Sequence, residues 1–575
     1  GKLDDMPSDG LREQRHYKEL SIKYDYTDSR WYILSQKSDG TDPEYLFRTN
    51  QYRHPMTQAP SGISVDKWAD WKKPRSTKYK SEGTPRHWID MITPTQATDT
   101  DINGVNTLTW EVDPRNPYTG STVGTLSVVS DEDFRSENSS GLGIRLLAEA
   151  IKKEGFEAVG VTSYVDLASF AQQQSRASAF ILAIDDEEFV EENPKAIKSL
   201  KDFVEEIRYR NDEIPIFLHG ETRTSRHIPN EVLRELNGFI HMNEDTPEFV
   251  AKYITREARS YLDSLPPPFF RALTHYAADG SYSWHCPGHS GGVAFLKSPV
   301  GQMFHQFFGE NMLRADVCNA VDELGQLLDH TGPVAASEKN AARIYNADHC
   351  YFVTNGTSTS NKMVWHSTVA PGDIVIVDRN CHKSVLHSIT MTGAIPIFLM
   401  PTRNHFGIIG PIPKEEFSWE NIQKKIDSNP FIKNKDQKPR VLTITQSTYD
   451  GVLYNVEEIK EMLDGKIDTL HFDEAWLPHA AFHNFYGDYH AIGEDRPKCK
   501  DSMIFSTQST HKLLAGLSQA SQILVQDAEN NKLDRDVFNE SYLMHCSTSP
   551  QYSIIASCDV AAAMMEQPGG TALVE

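Results

Sequence analysis

Met503-Ile-Phe-Ser-Thr-Gln-Ser-Thr-His-Lys512, continued by Leu513-Leu-Ala-Gly-Leu517, is the stretch on which the reading of this chain turns. Residues 503–507 form a strand-sized run, and Lys512 falls between that run and a small-residue, apolar segment. A lysine in a poorly solvated pocket loses proton affinity and becomes able to form imines. The plain alternative is a surface lysine that lays its stem on apolar neighbours and keeps its ammonium in water. Ser509 and His511 flank Lys512 and can reach an anion bound beside it.

Outward from this stretch, strand candidates recur at 350–354, 374–377, 395–399, 441–445 and 469–472, with helical stretches between them. Such alternation predicts a parallel sheet in a large α/β domain. Three further polar segments follow strand ends. The first, Thr354-Asn-Gly-Thr-Ser-Thr-Ser360, precedes a helix expected from Asn361. Small hydroxyl residues and a glycine opening a helix make an anion site, because backbone N–H groups and the helix dipole face the ligand. An ordinary N-cap loop has the same composition. The second is Asp378-Arg-Asn-Cys-His-Lys-Ser384, where His382 can lie flat against a planar ligand, although most loop histidines are structural. The third is His471-Phe-Asp-Glu-Ala-Trp476. A carboxylate at Asp473, ending an apolar strand, can keep a buried pyridinium nitrogen protonated; a helix N-cap aspartate is the bland reading. Together the four segments supply a phosphate cradle, a ring-stacking imidazole, a ring-nitrogen acid and an imine-forming lysine. That is the binding set for pyridoxal 5′-phosphate (PLP).

The 575 residues leave room for three or four domains. A formal net charge of −23 argues against nucleic acid or an anionic membrane as partner and suits a cationic small molecule. The longest apolar runs are strand-sized, so no transmembrane helix is expected. The opening GKLDDMPSDG lacks the features of a signal peptide. Seven cysteines, an odd number without C-x-x-C pairs, fit a reduced, cytoplasmic protein.

Residues 1–122 carry five of the nine tryptophans (Trp31, Trp68, Trp71, Trp88 and Trp110) and show no sustained helical or strand period, so this segment is left unassigned. From 125–129 onward the pattern changes. Ile144, Leu147, Ala148 and Ile151 mark an amphipathic helix, and strand candidates follow at 158–161, 179–184, 214–218 and 238–241. This alternation predicts a flavodoxin-like or receiver-like domain over 123–256. Asp131, Glu132, Asp133 and Asp185 stand where a phospho-receiver keeps its acids, and also where any solvated loop carries charge. Leu265-Pro-Pro-Pro268 breaks regular structure and marks a linker region, taken as 257–328. The large domain then spans 329–562, and the end from Asp559 reads as a helix with a break at Gly569-Gly570.

The spacing and order of the four segments resemble the fold-type-I PLP enzymes, the aspartate aminotransferase superfamily. H-F-D-E-A-W, Q-S-T-H-K-L-L-A-G-L-S-Q-A-S-Q, F-N-E-S-Y-L-M-H-C-S-T-S-P-Q-Y and W-H-C-P-G-H-S-G-G are more specific. They are similar to those of the bacterial ornithine/lysine/arginine decarboxylases, whose receiver-like domain is called the wing. The resemblance covers residues 123–575. It implies that Lys512 binds PLP covalently, that Asp473 pairs with the ring nitrogen and that His382 stacks on the ring. Thr357, Ser358, Ser509 and His511 would bind the phosphate, Trp476 would wall the pocket, and Ser547 would reach the phosphate of a neighbouring subunit. It further implies a homodimer, often assembled into decamers, and a substrate among L-lysine, L-ornithine and L-arginine, with lysine favoured. No metal is expected. A further small domain follows the large one in the family, and residues 563–575 are expected to be only its start. An aminotransferase, or a non-catalytic regulator built on the same fold, are the competing functions.

Overall fold

The computed structural model describes residues 139–161, 177–184, 194–221, 224–241, 244–280, 285–319 and 321–574, with the strands Tyr17–Asp25, Arg30–Lys37, Glu44–Arg48 and Val123–Val129. The chain divides into two units, the first made mainly of residues 1–123. In that unit the first three strands pair antiparallel as a meander. The sequence reading finds no strand period here. Leu20, Ile22 and Tyr24 do alternate with polar residues, but over a run short enough to be lost among the lysines and aspartates around it. Asp131, Glu132, Asp133 and Asp185 lie outside the described residues.

The second unit begins with the expected parallel sheet. Val123–Val129 runs beside Ala177–Ala183, then Ile216–Gly220, then Gly238–His241. The helix Pro194–Arg210 presents Leu200, Phe203, Val204 and Ile207 to this sheet. Their spacing of i, i+3, i+4 and i+7 puts all four on one face. The helix Pro247–Ser264, capped by the Thr246 hydroxyl, packs against the helix Ser139–Lys153.

The larger sheet has seven strands in the order Ile395–Leu399, Ile374–Asp378, Val441–Thr445, Thr469–Asp473, Met503–Gln508, Ser521–Gln526 and His349–Val353. The first five are mutually parallel, while Ser521–Gln526 is antiparallel to both its neighbours. Each expected strand is present. Ser521–Gln526 is additional: its Ser and Gln ends read as loop, yet every residue is buried. The polar ends find partners inside, as where Gln522 Nε2 donates to Gln508 Oε1 at 2.8 Å. The parallel strands deliver Asp378, Thr445, Asp473 and Gln508 to one edge of the sheet. In open α/β sheets this carboxyl edge is where ligands bind.

The break at residues 265–267 is real, since one helix ends at Ser264 and the next, Pro268–Asp279, starts on proline. The stretch 257–328 is nevertheless no plain linker, because Phe269, Leu273, Val317, Val321 and Leu324 belong to the core of the large domain. The start of Pro268–Asp279 is capped across space. Asp559 accepts from the backbone N–H of Phe269 at 2.9 Å and of Phe270 at 3.0 Å, and Ser337 Oγ also accepts from Phe269 at 2.8 Å. A carboxylate there satisfies orphan donors and faces the positive end of the helix. We expect Asp559→Ala to cost about 1–3 kcal/mol, the usual effect of stranding a buried donor, and Asp559→Asn to recover most of it. The midpoint of urea unfolding measures both; an unchanged midpoint for the alanine variant would show the cap to be dispensable.

At the C-terminal side the helix Tyr552–Ala563 stops before Pro568, and Gly569–Val574 forms a separate helix. The glycines therefore open a helix instead of interrupting one, because the preceding proline, which has no N–H, marks the start. All seven cysteines are free thiols. Among the described residues no helix is long and apolar enough to cross a membrane.

Candidate active site

A cavity of about 750 Å³ opens at the carboxyl edge of the large sheet, and eight of the nine residues singled out from the sequence line it. They are Lys512, Asp473, His382, Thr357, Ser358, Ser509, His511 and Trp476. The ninth, Ser547, is exposed between the helices Arg535–His545 and Tyr552–Ala563 and is not among the residues that line the cavity; its hydroxyl accepts from the Ser549 N–H at 3.1 Å.

Lys512 sits in the short helix Thr510–Leu513, one turn past the strand Met503–Gln508. Its ammonium lies 4.3 Å from the centre of the Trp476 ring. Burial lowers its proton affinity below that of an ordinary lysine, and the Asp473 carboxylate works against the shift. Asp473 ends the strand Thr469–Asp473 and is 5% exposed. Burial raises its proton affinity; a hydrogen bond from Asn361 Nδ2 to Oδ2 at 2.9 Å pulls it back, as do His382, the Ala475 N–H and Lys512.

The hydroxyl-rich loop departs from expectation in one respect. The helix starts at Thr357, four residues before Asn361, with Gly356 as its N-cap at φ +75°. A side chain at Gly356 would meet nothing, so the backbone conformation and not space calls for glycine. The earlier start places the first-turn N–H groups of Thr357 and Ser358 at the cavity, where an anion would be held. Thr357 Oγ1 lies 2.6 Å from Ser509 Oγ and 2.9 Å from Ser521 Oγ, and Ser360 Oγ lies 2.8 Å from Ser521 Oγ. This buried cluster joins the helix to the strand Ser521–Gln526 and to Ser509, the residue that follows the strand Met503–Gln508 and stands at the N-cap of the helix of Lys512. His511 Nδ1 is 2.7 Å from the carbonyl oxygen of Ala520, which fixes the ring beside Lys512. His382 caps the helix Lys383–Thr392, its Nδ1 accepting from the Ser384 N–H.

Asn361 and Ser521 escaped the sequence reading. Asn361 stands four residues after Thr357, hence on the same helix face and about 6 Å further along the axis. That spacing is the signal that could have found it. The arrangement therefore sets an anion cradle one helical turn from a buried carboxylate, with an amine of lowered proton affinity in the same cavity.

Family models match on both sides of the proline break: "Orn/Lys/Arg decarboxylase, N-terminal domain" over residues 139–261 and "Orn/Lys/Arg decarboxylase, major domain" over 267–575. The chain belongs to the ornithine/lysine/arginine decarboxylase family. Lysine decarboxylase LdcA of Pseudomonas aeruginosa is 48% identical over 451 residues, which is 78% of this chain and 60% of that protein. The biodegradative arginine decarboxylase of Escherichia coli is 38% identical over 450 residues, covering 78% of this chain and 59% of the relative. The chain thus spans about 60% of the length of these curated relatives. Among solved structures, lysine decarboxylase A from P. aeruginosa superposes with a TM-score of 0.73 over 78% of this chain and 60% of that one. The Francisella novicida lysine decarboxylase LdcF, 34% identical, gives 0.69 over 78% and 59%. Membership fixes the architecture as a receiver-like wing followed by an aspartate-aminotransferase-like, fold-type-I large domain.

Proposed function

We propose that this chain carries the cofactor site of a PLP-dependent decarboxylase acting on a basic L-amino acid, L-lysine ahead of L-ornithine and L-arginine. The observation that carries the reading is the convergence of Lys512, Asp473 and the Thr357–Ser358 helix start in one cavity. The donor set suits PLP. The helix start, Ser358, Ser509 and His511 would hold its phosphate, His382 would lie against its ring, Asp473 would face its ring nitrogen and Lys512 would bind it covalently. When bound, the cofactor supplies a sink for the electron pair released as the bond from Cα to the carboxylate breaks. Asp473 would keep the ring nitrogen protonated. Lys512, whose proton affinity burial lowers, would release its proton more readily than an ordinary lysine, and Trp476 would help to exclude water from it.

Substrate preference rests on similarity to relatives named lysine decarboxylases. The strongly acidic balance of the chain suits a cationic substrate. The same reading gives a homodimer in which Ser547 contributes to the partner's site. Its exposed position outside the cavity agrees with a role across an interface. Seven free thiols agree with a cytoplasmic location.

The deciding experiment supplies the purified protein with PLP and each of the three amino acids, carboxyl-labelled, with and without a keto acid. Labelled CO2 released only with PLP, fastest from lysine and indifferent to the keto acid, is the expected result. Amino transfer to the keto acid without CO2 would make it an aminotransferase. Bound PLP without turnover of any substrate would make it a binding protein.

A further inference from the structure

Behind Asp473 runs a chain of buried hydrogen bonds to which no role has yet been given. Trp365 Nε1 donates to Thr443 Oγ1 at 3.0 Å, and Thr443 Oγ1 lies 3.1 Å from His471 Nδ1. His471 Nε2 lies 2.9 Å from Thr507 Oγ1, which donates to Asn361 Oδ1 at 2.7 Å. Asn361 Nδ2 completes the path to Asp473 Oδ2 at 2.9 Å. Five of the six side chains are no more than 1% exposed, and Asp473 is 5% exposed.

The sequence places these groups together by two periods. His471 and Asp473 are two apart on one strand and share a face. The sheet register sets Thr443 opposite His471 and Thr507 opposite Asp473. Asn361 and Trp365 are four apart on the helix Thr357–Thr368 and share a face.

The acceptor end and the neutrality of the histidine fix the protons along the path. An indole N–H can only donate and an ionised carboxylate can only accept. Asn361 therefore turns its amide to Asp473 and its carbonyl to Thr507, and Thr507 donates there and accepts from His471 Nε2. The neutral ring is left to accept at Nδ1 from Thr443, which accepts from the Trp365 indole. All five bonds point the same way, toward the carboxylate. A branch leaves at Asn361, whose Nδ2 also donates to Ser384 Oγ at 3.0 Å, and Ser384 Oγ lies 2.8 Å from His382 Nδ1.

We propose that this path is a one-way donor relay that holds the Asp473 carboxylate in place and ionised, and that His471 and Thr507 are positioning residues within it. The proposal rests on the reading of Asp473 as the partner of the ring nitrogen. Aligned bonds polarise one another in a dry interior, so the last donor in the row is stronger than an isolated amide. Burial pushes His471 down to about 3, which keeps it neutral and able to both donate and accept. The other ionisable groups facing Asp473 are His382 and Lys512, with Asp378 and Cys381 nearby. They remain the same in each variant below.

Two spectroscopic measurements on the cofactor-free chain test the relay. Nitrogen-15 NMR of labelled histidine, with the His471 signal assigned by its loss in His471→Gln, should show a neutral ring protonated on Nε2. Carbon-13 NMR of the Asp473 carboxyl should show its titration moved to higher pH in Thr507→Val and returned by Thr507→Ser. With PLP and substrate, Thr507→Val should lower kcat about tenfold, the rate equivalent of one buried hydrogen bond, with KM nearly unchanged. A proton found on Nδ1 would overturn the relay without recourse to any variant. So would a folded Thr507→Val whose Asp473 titration is unmoved. If the titration moves as expected while Asp473→Asn keeps full turnover, the relay stands and the ring-nitrogen reading of Asp473 fails.

Discussion

Replacing Lys512 with alanine is expected to abolish covalent retention of PLP and to reduce turnover by at least ~10²-fold, the lower range for a positioned proton-transfer group, with the fold intact. The side chain is only partly buried, and its resolved contact is the stacking of its ammonium over Trp476 at 4.3 Å. A cation–π contact at a partly exposed site contributes about 0.5–1 kcal/mol, too little for its loss to unfold a domain. The amine, by contrast, has no substitute at the same place in the cavity. Lys383 also lines the cavity, but it leads the helix after His382, on a different strand connection. Borohydride reduction followed by mass spectrometry of the peptide containing residue 512 reads the outcome. Wild type should carry a reduced adduct on Lys512 and the variant none. An adduct that persists in Lys512→Ala, on whatever residue, would remove Lys512 from the role.

Why the site could be read from the sequence, and where the reading stopped, follows from the kind of residue involved. Parallel strands buried on both faces are near-continuous apolar runs, so 374–378 and 441–445 stand out against their surroundings. The chemistry-bearing residues sit just past those runs, which is why Asp473, His382 and Lys512 could be placed without coordinates. The strand Ser521–Gln526 did not stand out, because half its residues are polar and are satisfied only by partners far away in sequence, such as Gln508. Asn361 failed for the same reason. Its three partners, Ser384, Asp473 and Thr507, come from three different segments, and nothing local marks it as more than a helix residue. The start of its helix was misplaced by four residues because Thr and Ser have modest helix propensity, whereas packing of the hydroxyls against Ser509 and Ser521 holds the first turn. Asp559 shows the tertiary version of the problem, as the cap of Pro268–Asp279 stands almost 300 residues away along the chain.

Asp473→Asn should lower kcat by ~10²–10³-fold while KM and cofactor retention stay within a few-fold. The two side chains have the same shape, so Asn361 keeps a partner and the cavity keeps its volume. What changes is charge. Two opposite unit charges at contact distance, at an effective dielectric constant of about 20, attract by ~4 kcal/mol, and each ~1.4 kcal/mol is a factor of ten in rate. Part of that interaction is already present before reaction, so the full thousandfold is an upper bound. The loss belongs to kcat because the charge matters most when electrons reach the ring. Unfolding cannot mimic the result. Burial raises the proton affinity of Asp473, so the folded state favours its neutral form, and the group's stabilising contribution is present at acid pH and lost as pH rises through its raised value. Ionising the buried carboxyl therefore costs stability relative to acid pH, and a neutral amide should leave the protein at least as stable as wild type. Steady-state kinetics and a urea titration of the same preparation separate the two effects. If the asparagine variant is folded and retains more than about a third of the wild-type kcat, a difference below ~1 kcal/mol, the ring nitrogen has no need of the carboxylate and the assignment of Asp473 fails.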